Sequence, residues 1–415
     1  MKACKPVFPL QVTLQADSLQ EQEAQTLLRQ TQHALDDLND FTAHHLRLQL
    51  ASKSAKETPD ADAESQSAVT IRLAPSGSAI SSSTPGALAS YIATELRSTF
   101  AEEQAVLSYL LSSSSSHASE PRSTALSPEL LGTLEKRTTR SLKYSHTYHL
   151  TFSLFTAGAS PSTWDIDGAL NDYIRPVLEV LSPIHNFTID TQVQLYATPG
   201  VQSEVLSKDD LVSFINAAEW PLSPLLASWL VPQWGSVYLL PLVSTTAHID
   251  APALKQPLLT FSSHLLSLLG TPESGSLPLR LSTLSRIRSA DLLLRASSTL
   301  GSLARLSLAL PSISIPRSVA DGVSKSLNHL ELACSNLAAP TALKHARTAE
   351  SEAERAFFEK SMVGQLYFPD EHKVAVYLPL LGPVGVPLVM GLLAELKQWI
   401  KRRKQKAEDA KRKDE

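Results

Sequence analysis

Twelve histidines and two cysteines are the side chains best suited to nucleophilic or metal chemistry, so their spacing is read first. The adjacent pair His44-His45 falls in a stretch that reads as a polar turn beside a strand. Zinc needs further ligands at recognisable spacing, and none stands near them. Asp165 and Asp167 flank Ile166 where a helical pattern begins. Paired carboxylates can run acid–base chemistry. However, acidic residues in a first helical turn also answer the positive end of the helix dipole, and that reading is simpler. Cys334 stands among Leu327, Leu330, Leu337 and Ala338 at helical spacing and reads as a small buried thiol. No base is placed beside it, so nucleophilic catalysis finds no support. The sequence contains no G-x-S-x-G elbow, H-E-x-x-H helix or Walker loop. No catalytic residue, metal ligand set or cofactor site is therefore expected.

The composition agrees with a structural role. The 415 residues are 43% hydrophobic and 19% charged, which excludes wholesale disorder and allows two or three domains. A net charge of −4 argues against a nucleic-acid partner. Proline outnumbers glycine, 26 to 15, so rigid turns are many and phosphate-cradling glycine loops few.

The elements follow from hydrophobic periodicity. Val7–Leu14, Leu46–Leu50 and Val69–Leu73 alternate and predict strands. Leu19–Leu38 and residues 86–111 predict helices, giving a β-α-β-β-α opening over residues 1–111. Residues 112–140 are Ser-rich and read as a linker. A second α/β portion, 141–270, has strands at Tyr148–Phe155 and Phe187–Tyr196 around an amphipathic helix at Trp164–Leu181. Further strands are expected at Leu225–Val231 and Ser236–Leu242, then a helix at 251–269. Residues 271–370 carry amphipathic helices at Leu279–Leu310, Ile315–Leu337 and Thr341–Phe358, separated by Pro311, Pro316 and Pro340.

A membrane span is expected over 371–396. Val374–Ala394 runs 21 residues without a charge, and a helix of that length reaches about 31 Å, one bilayer core. Its prolines and glycines suit lipid better than water. Gly382, Gly385 and Pro387 are expected to pack against a partner helix. Tyr367 and Phe368, just before the span, fit the interfacial layer. Residues 397–415 form a strongly basic tail, which the positive-inside rule places in the cytosol. The body then lies across the membrane, and an upstream signal or first membrane helix is expected to deliver it there. The alternative is a tail-anchored adaptor whose body faces the cytosol and has no enzymatic role. Lys411 and Lys413, fifth and third from the end, match a dilysine retrieval pattern. Asn186-Phe187-Thr188 is an N-glycosylation sequon.

Several blocks together resemble one family. They are Tyr148–Leu154, Trp164-Asp165-Ile166-Asp167-Gly168-Ala169, Tyr173–Leu178, Asn186–Val193 and Leu366-Tyr367-Phe368-Pro369-Asp370 running into the apolar segment. In order and spacing they are similar to the phosphatidylinositol glycan class S (PIG-S) subunits of glycosylphosphatidylinositol (GPI) transamidase. The resemblance covers about 140–395. It implies a mixed α/β lumenal body, followed by amphipathic helices and one C-terminal transmembrane helix, in the endoplasmic reticulum membrane. It also implies a non-catalytic scaffold subunit that supports GPI attachment, partnered by the other subunits. Among them is a Cys/His peptidase subunit that performs the chemistry.

Overall fold

The computed structural model describes residues 7–16, 19–38, 43–51, 69–73, 85–114, 129, 132, 134–135, 141–197, 228–231, 235–242, 246–272, 275–311, 315–338, 341–362 and 370–411. The chain forms two compact units, Met1–Ser298 with Leu327–Glu350, and Thr299–Ser326 with Ser351–Glu415.

The first unit opens as β1 (Phe8–Gln15), α1 (Glu21–Leu38), β2 (His44–Leu50), β3 (Val69–Arg72) and α2 (Pro85–Ser114). The strands make a parallel sheet in the order β2-β1-β3. Phe8, Leu10, Val12 and Leu14 alternate inward from β1 and are buried. Leu10, Val12 and Leu14 pack with Leu27 and Leu35 of α1 and Ile92, Leu96 and Phe100 of α2, while Phe8 packs with Ala43 and Leu107. Each such side chain contributes about 1.5–3 kcal/mol by leaving water. Thr31 is buried on α1 because its hydroxyl donates back to the Leu27 carbonyl at 2.8 Å.

β4 (Thr147–Phe155) and β6 (Asn186–Gln194) pair in parallel over their full length. The crossover between them holds a short strand, β5 (Thr163–Trp164), which pairs with β9 (His248–Ile249). A helical run follows: α3 (Ile166–Ala169), a π-helical turn at Leu170–Ile174, and α4 (Arg175–Leu181). The expected single helix is thus widened in its middle, and Thr163-Trp164 belong to a sheet. Pro176 supplies the reason: its ring excludes an ordinary α-turn onto the Asp172 carbonyl, and it has no N–H to donate. β7 (Ser228–Val231) and β8 (Gly235–Tyr238) form an antiparallel pair.

A 3-10 turn at Ala251–Leu254 leads into α5 (Lys255–Leu268). Long helices α6 (Leu277–Ala309), α7 (Arg317–Ser335) and α8 (Thr341–Phe357) follow. In the first unit, Leu284 and Leu292 of α6, Ala333 of α7 and Ala346 of α8 share a core with Leu181, Ile184 and Leu269. In the second unit, Leu303, Val319, Ala356 and Met362 pack together. There Gly322 lets α7 and α8 approach closely, since a Cβ at this position would stand 3.1 Å from that of Ala356.

The chain's final described element is α9 (Asp370–Lys411), a 42-residue helix that runs through the basic tail. Pro379, Pro383 and Pro387 lie inside it, four residues apart and so along one side. Ala375–Lys404 is long and apolar enough to cross a membrane, and none of its most apolar window is buried. Leu380 is 72% exposed and Leu388 69%, so the segment is no core helix.

Candidate functional site

A cavity of about 920 Å³ lies between β6 and the helical run that crosses over to it. Asp167, Asn171 and Arg175 border it from the helical side, and Asp190, Gln192 and Thr151 from the strands. Local sequence sets this wall. The Asp165 carboxylate accepts the Gly168 N–H at 3.2 Å and caps α3. Gly168 must lack a side chain, because a Cβ there would meet the Asp165 carboxylate oxygens at 2.9 Å. Asp165 is therefore a helix cap, as the simpler reading expects, while Asp167 faces the cleft. On the sheet, His149 bridges the Thr188 hydroxyl at 2.8 Å and the Asp190 carboxylate at 3.0 Å. The described lining includes no histidine or cysteine. Arginine, carboxylates, amides and hydroxyls together suit polar recognition.

A second polar constellation is sealed inside the first unit. The Glu103 carboxylate accepts from Arg286 Nε at 2.6 Å, Arg286 Nη2 at 2.7 Å and the Thr283 hydroxyl at 2.8 Å. His44 Nε2 lies 3.0 Å from the same carboxylate, and His44 Nδ1 lies 2.9 Å from Gln104 Oε1. Burial pushes the Glu103 pKa up, but Arg286 and His44 more than offset it and hold it at about 2. His44 thus opens β2 and is buried, where the sequence suggested a polar turn. Its partners, Glu103 and Gln104, come from α2, distant in sequence, which local polarity does not report.

Sequence reasoning also missed a serine–histidine contact: Ser236 Oγ lies 2.5 Å from His264 Nδ1. Burial lowers the His264 pKa. Among the described residues no carboxylate pairs with His264 in the way a hydrolytic triad requires. Cys334 is disulfide-bonded, contrary to its reading as a thiol. The chain's other cysteine is Cys4, outside the described residues.

The remaining expected positions are spread out. Asn186 is the exposed first residue of β6, its amide nitrogen 3.2 Å from His146 Nε2. Gly382 and Gly385 lie in α9 with open space where a Cβ would stand, and Pro387 lies in the same helix. Lys411 ends α9. Tyr367, Phe368 and Lys413 lie outside the described residues.

Comparison with known proteins gives this architecture a family. A family model described as phosphatidylinositol-glycan biosynthesis class S protein (PIG-S) matches residues 1–227 and 224–402. The chain therefore belongs to the PIG-S family. It is 27% identical over 317 residues to the GPI transamidase component GPI17 of Saccharomyces cerevisiae, covering 62% of this chain and 59% of that protein. A GPI transamidase component PIG-S homolog of Schizosaccharomyces pombe is 29% identical, with 64% and 57% covered. The human GPI-anchor transamidase component PIGS is 28% identical over 344 residues, with 66% and 62% covered. The chain thus matches about three fifths of the length of these curated relatives.

Proposed function

We propose that this chain is a non-catalytic, membrane-anchored scaffold subunit of a GPI transamidase complex. The observation that carries the reading is the family match, which extends through residue 402 and so into the exposed apolar helix α9. Relatives named as components of the transamidase support a role in GPI-anchor attachment beside other subunits. In this reading the chemistry belongs to a Cys/His peptidase subunit among them, as the sequence resemblance implies.

In this reading α9 anchors the protein in the endoplasmic reticulum membrane, with the body lumenal and the basic tail cytosolic. Three observations support that sidedness. Basic residues crowd the C-terminal side of the span. Asn186 is exposed and available to a lumenal glycosyl transfer. Cys334 carries a disulfide, a bond that persists in oxidising compartments and is rare in the cytosol. Tyr367 and Phe368 then sit at the lumenal mouth of the span, Gly382, Gly385 and Pro387 face a partner helix, and Lys411 and Lys413 serve retrieval. The domain plan stays as the sequence reads it, an α/β body in two portions joined at 112–140, then helices, span and tail.

Affinity purification of the full chain in mild detergent, with mass spectrometry of what co-purifies, tests the assignment. The other transamidase subunits are expected, and their absence overturns it. Protease treatment of sealed microsomes tests the sidedness. Digestion of the body without detergent supports the tail-anchored adaptor instead. A hydrolytic reading has one place to reside, the Ser236–His264 contact, and loss of GPI attachment in Ser236→Ala at normal abundance would favour it.

A further inference from the structure

A second cavity, about 260 Å³, is bordered by α2, the Ser141–Lys143 segment, the end of α5 and α6. Leu110, Leu142 and Ile287 contribute an apolar wall, and Lys143, Arg288, Asp291 and Arg295 a charged one. Arg288 is 93% buried, being only 7% exposed. Its Nη2 donates to the carbonyls of Leu142 at 3.0 Å and Leu269 at 2.9 Å. Leu269 caps the C-terminus of α5, so this nitrogen acts as a helix-end clamp.

The clamp accounts for one nitrogen of three. Nε is sealed from solvent without an acceptor. Nη1 donates to no described protein atom and is not among the sealed nitrogens, so it is the accessible edge of a residue that lines the cavity. Arg288 forms no ion pair among the described residues. The nearby carboxylates of Asp291 and Glu350 are engaged by Arg295, at 3.4 and 3.6 Å. Lys143, exposed on the same wall, also forms no ion pair among the described residues. Burial lowers the Arg288 pKa, and the nearby Asp291 carboxylate offsets this only in part.

We propose that this cavity binds a phosphate dianion, either free or carried as a monoester, with Arg288 Nη1 and Lys143 Nζ as its donors. With the Asp291 carboxylate of this wall engaged by Arg295, the charges of Arg288 and Lys143 match the charge of about −1.5 to −2 that a phosphate monoester bears at neutral pH, which a single carboxylate does not. A guanidinium edge is suited to phosphate oxygens. The space corresponds to about nine waters at ~30 Å³ each, enough for the phosphate and a short substituent against the leucines. The inference is independent of the transamidase reading, because it rests on this wall alone.

The test uses the full chain in mild detergent, with inorganic phosphate and n-hexyl phosphate as separate probes in calorimetric titration and thermal-shift measurements. Saturable binding of at least one probe is expected. A clear preference for hexyl phosphate identifies a monoester with an apolar substituent, and equal affinity identifies free phosphate. Lys143→Gln should weaken binding about tenfold while leaving the unliganded melting temperature unchanged, because Lys143 is exposed. Arg288→Gln should abolish binding, and if it does not fold, Lys143→Gln still decides. No binding of either probe at roughly 10 mM, or unchanged affinity in Lys143→Gln, overturns the proposal.

Discussion

Glu103 on α2 and Arg286 on α6 meet through two parallel hydrogen bonds, of 2.6 and 2.7 Å, around a carboxylate that is only 2% exposed. The pair ties the α2 layer of the N-terminal sheet to the long helix that follows the second α/β portion. Removing one partner strands the other charge inside the protein. Arg286→Met should therefore destabilise the first unit by about 3–5 kcal/mol. Replacing both residues with apolar ones should recover much of that loss. Denaturant unfolding of the two variants measures both effects.

Acid should weaken the fold in two separable stages. His185 is fully buried among Tyr144, Tyr148 and Phe187, and its Nδ1 lies 2.8 Å from the Ser145 carbonyl. Burial lowers its pKa from 6.5 to about 4. The unfolded chain takes up that proton first, so stability is full above pH 6.5 and declines as pH falls towards 4. Glu103, held at about 2 against an ordinary 4.5, adds a second loss between those values, worth about 3 kcal/mol. Melting temperatures across this range should show both stages. His185→Phe should shrink the upper one, leaving the share that half-buried His264 contributes, and should not alter the lower one.

Cys334→Ser should lower thermal stability by about 2–5 kcal/mol, the usual consequence of losing a native disulfide. GPI attachment should survive wherever the protein accumulates normally, because a sulfur held in a disulfide is not a free nucleophile. Non-reducing electrophoresis beside a GPI-reporter assay separates the two effects.

The Asp165 cap gives a local test. Asp165→Ala should cost about 1 kcal/mol. Gly168→Ala should also destabilise, although alanine is the better helix former, because its Cβ would meet the capping carboxylate. A stabilising Gly168→Ala would show that the cap gives way easily.

Among the described residues, none places an atom within 4 Å of where a Cβ would stand on Gly385 in α9, so Gly385→Leu meets no obstacle there. Membrane insertion should be unchanged or improved, while recovery of the other subunits falls. Unaltered co-purification would argue against a helix packed at that position.

The legible part of this protein is its local periodicity. Alternation at Phe8–Leu14 and Leu46–Leu50, and helical spacing through Leu27 and Leu35, predicted the β-α-β-β-α opening that the structure has. The helices expected at Leu279–Leu310, Ile315–Leu337 and Thr341–Phe358 were equally plain, and the structure forms a helix at each. What escaped depends on residues far apart in the chain. Glu103 and Arg286, Ser236 and His264, and Arg288 with its two carbonyls leave no pattern in any short window. The π-turn at Leu170–Ile174 had one local sign, Pro176, which standard helical spacing does not anticipate. The expected Ser-rich linker lies largely outside the described residues.

The four-residue rhythm of Pro379, Pro383 and Pro387 reaches beyond helix geometry. Each proline withholds the N–H that would have served the carbonyl four residues earlier, at Ala375, Pro379 and Pro383. These oxygens line up as a narrow ladder of acceptors on an otherwise greasy rod. Hydrocarbon offers such acceptors nothing, so a neighbour lying along that ladder in a bilayer gains by bringing hydroxyls or amides, whereas one built only of leucine leaves it unanswered.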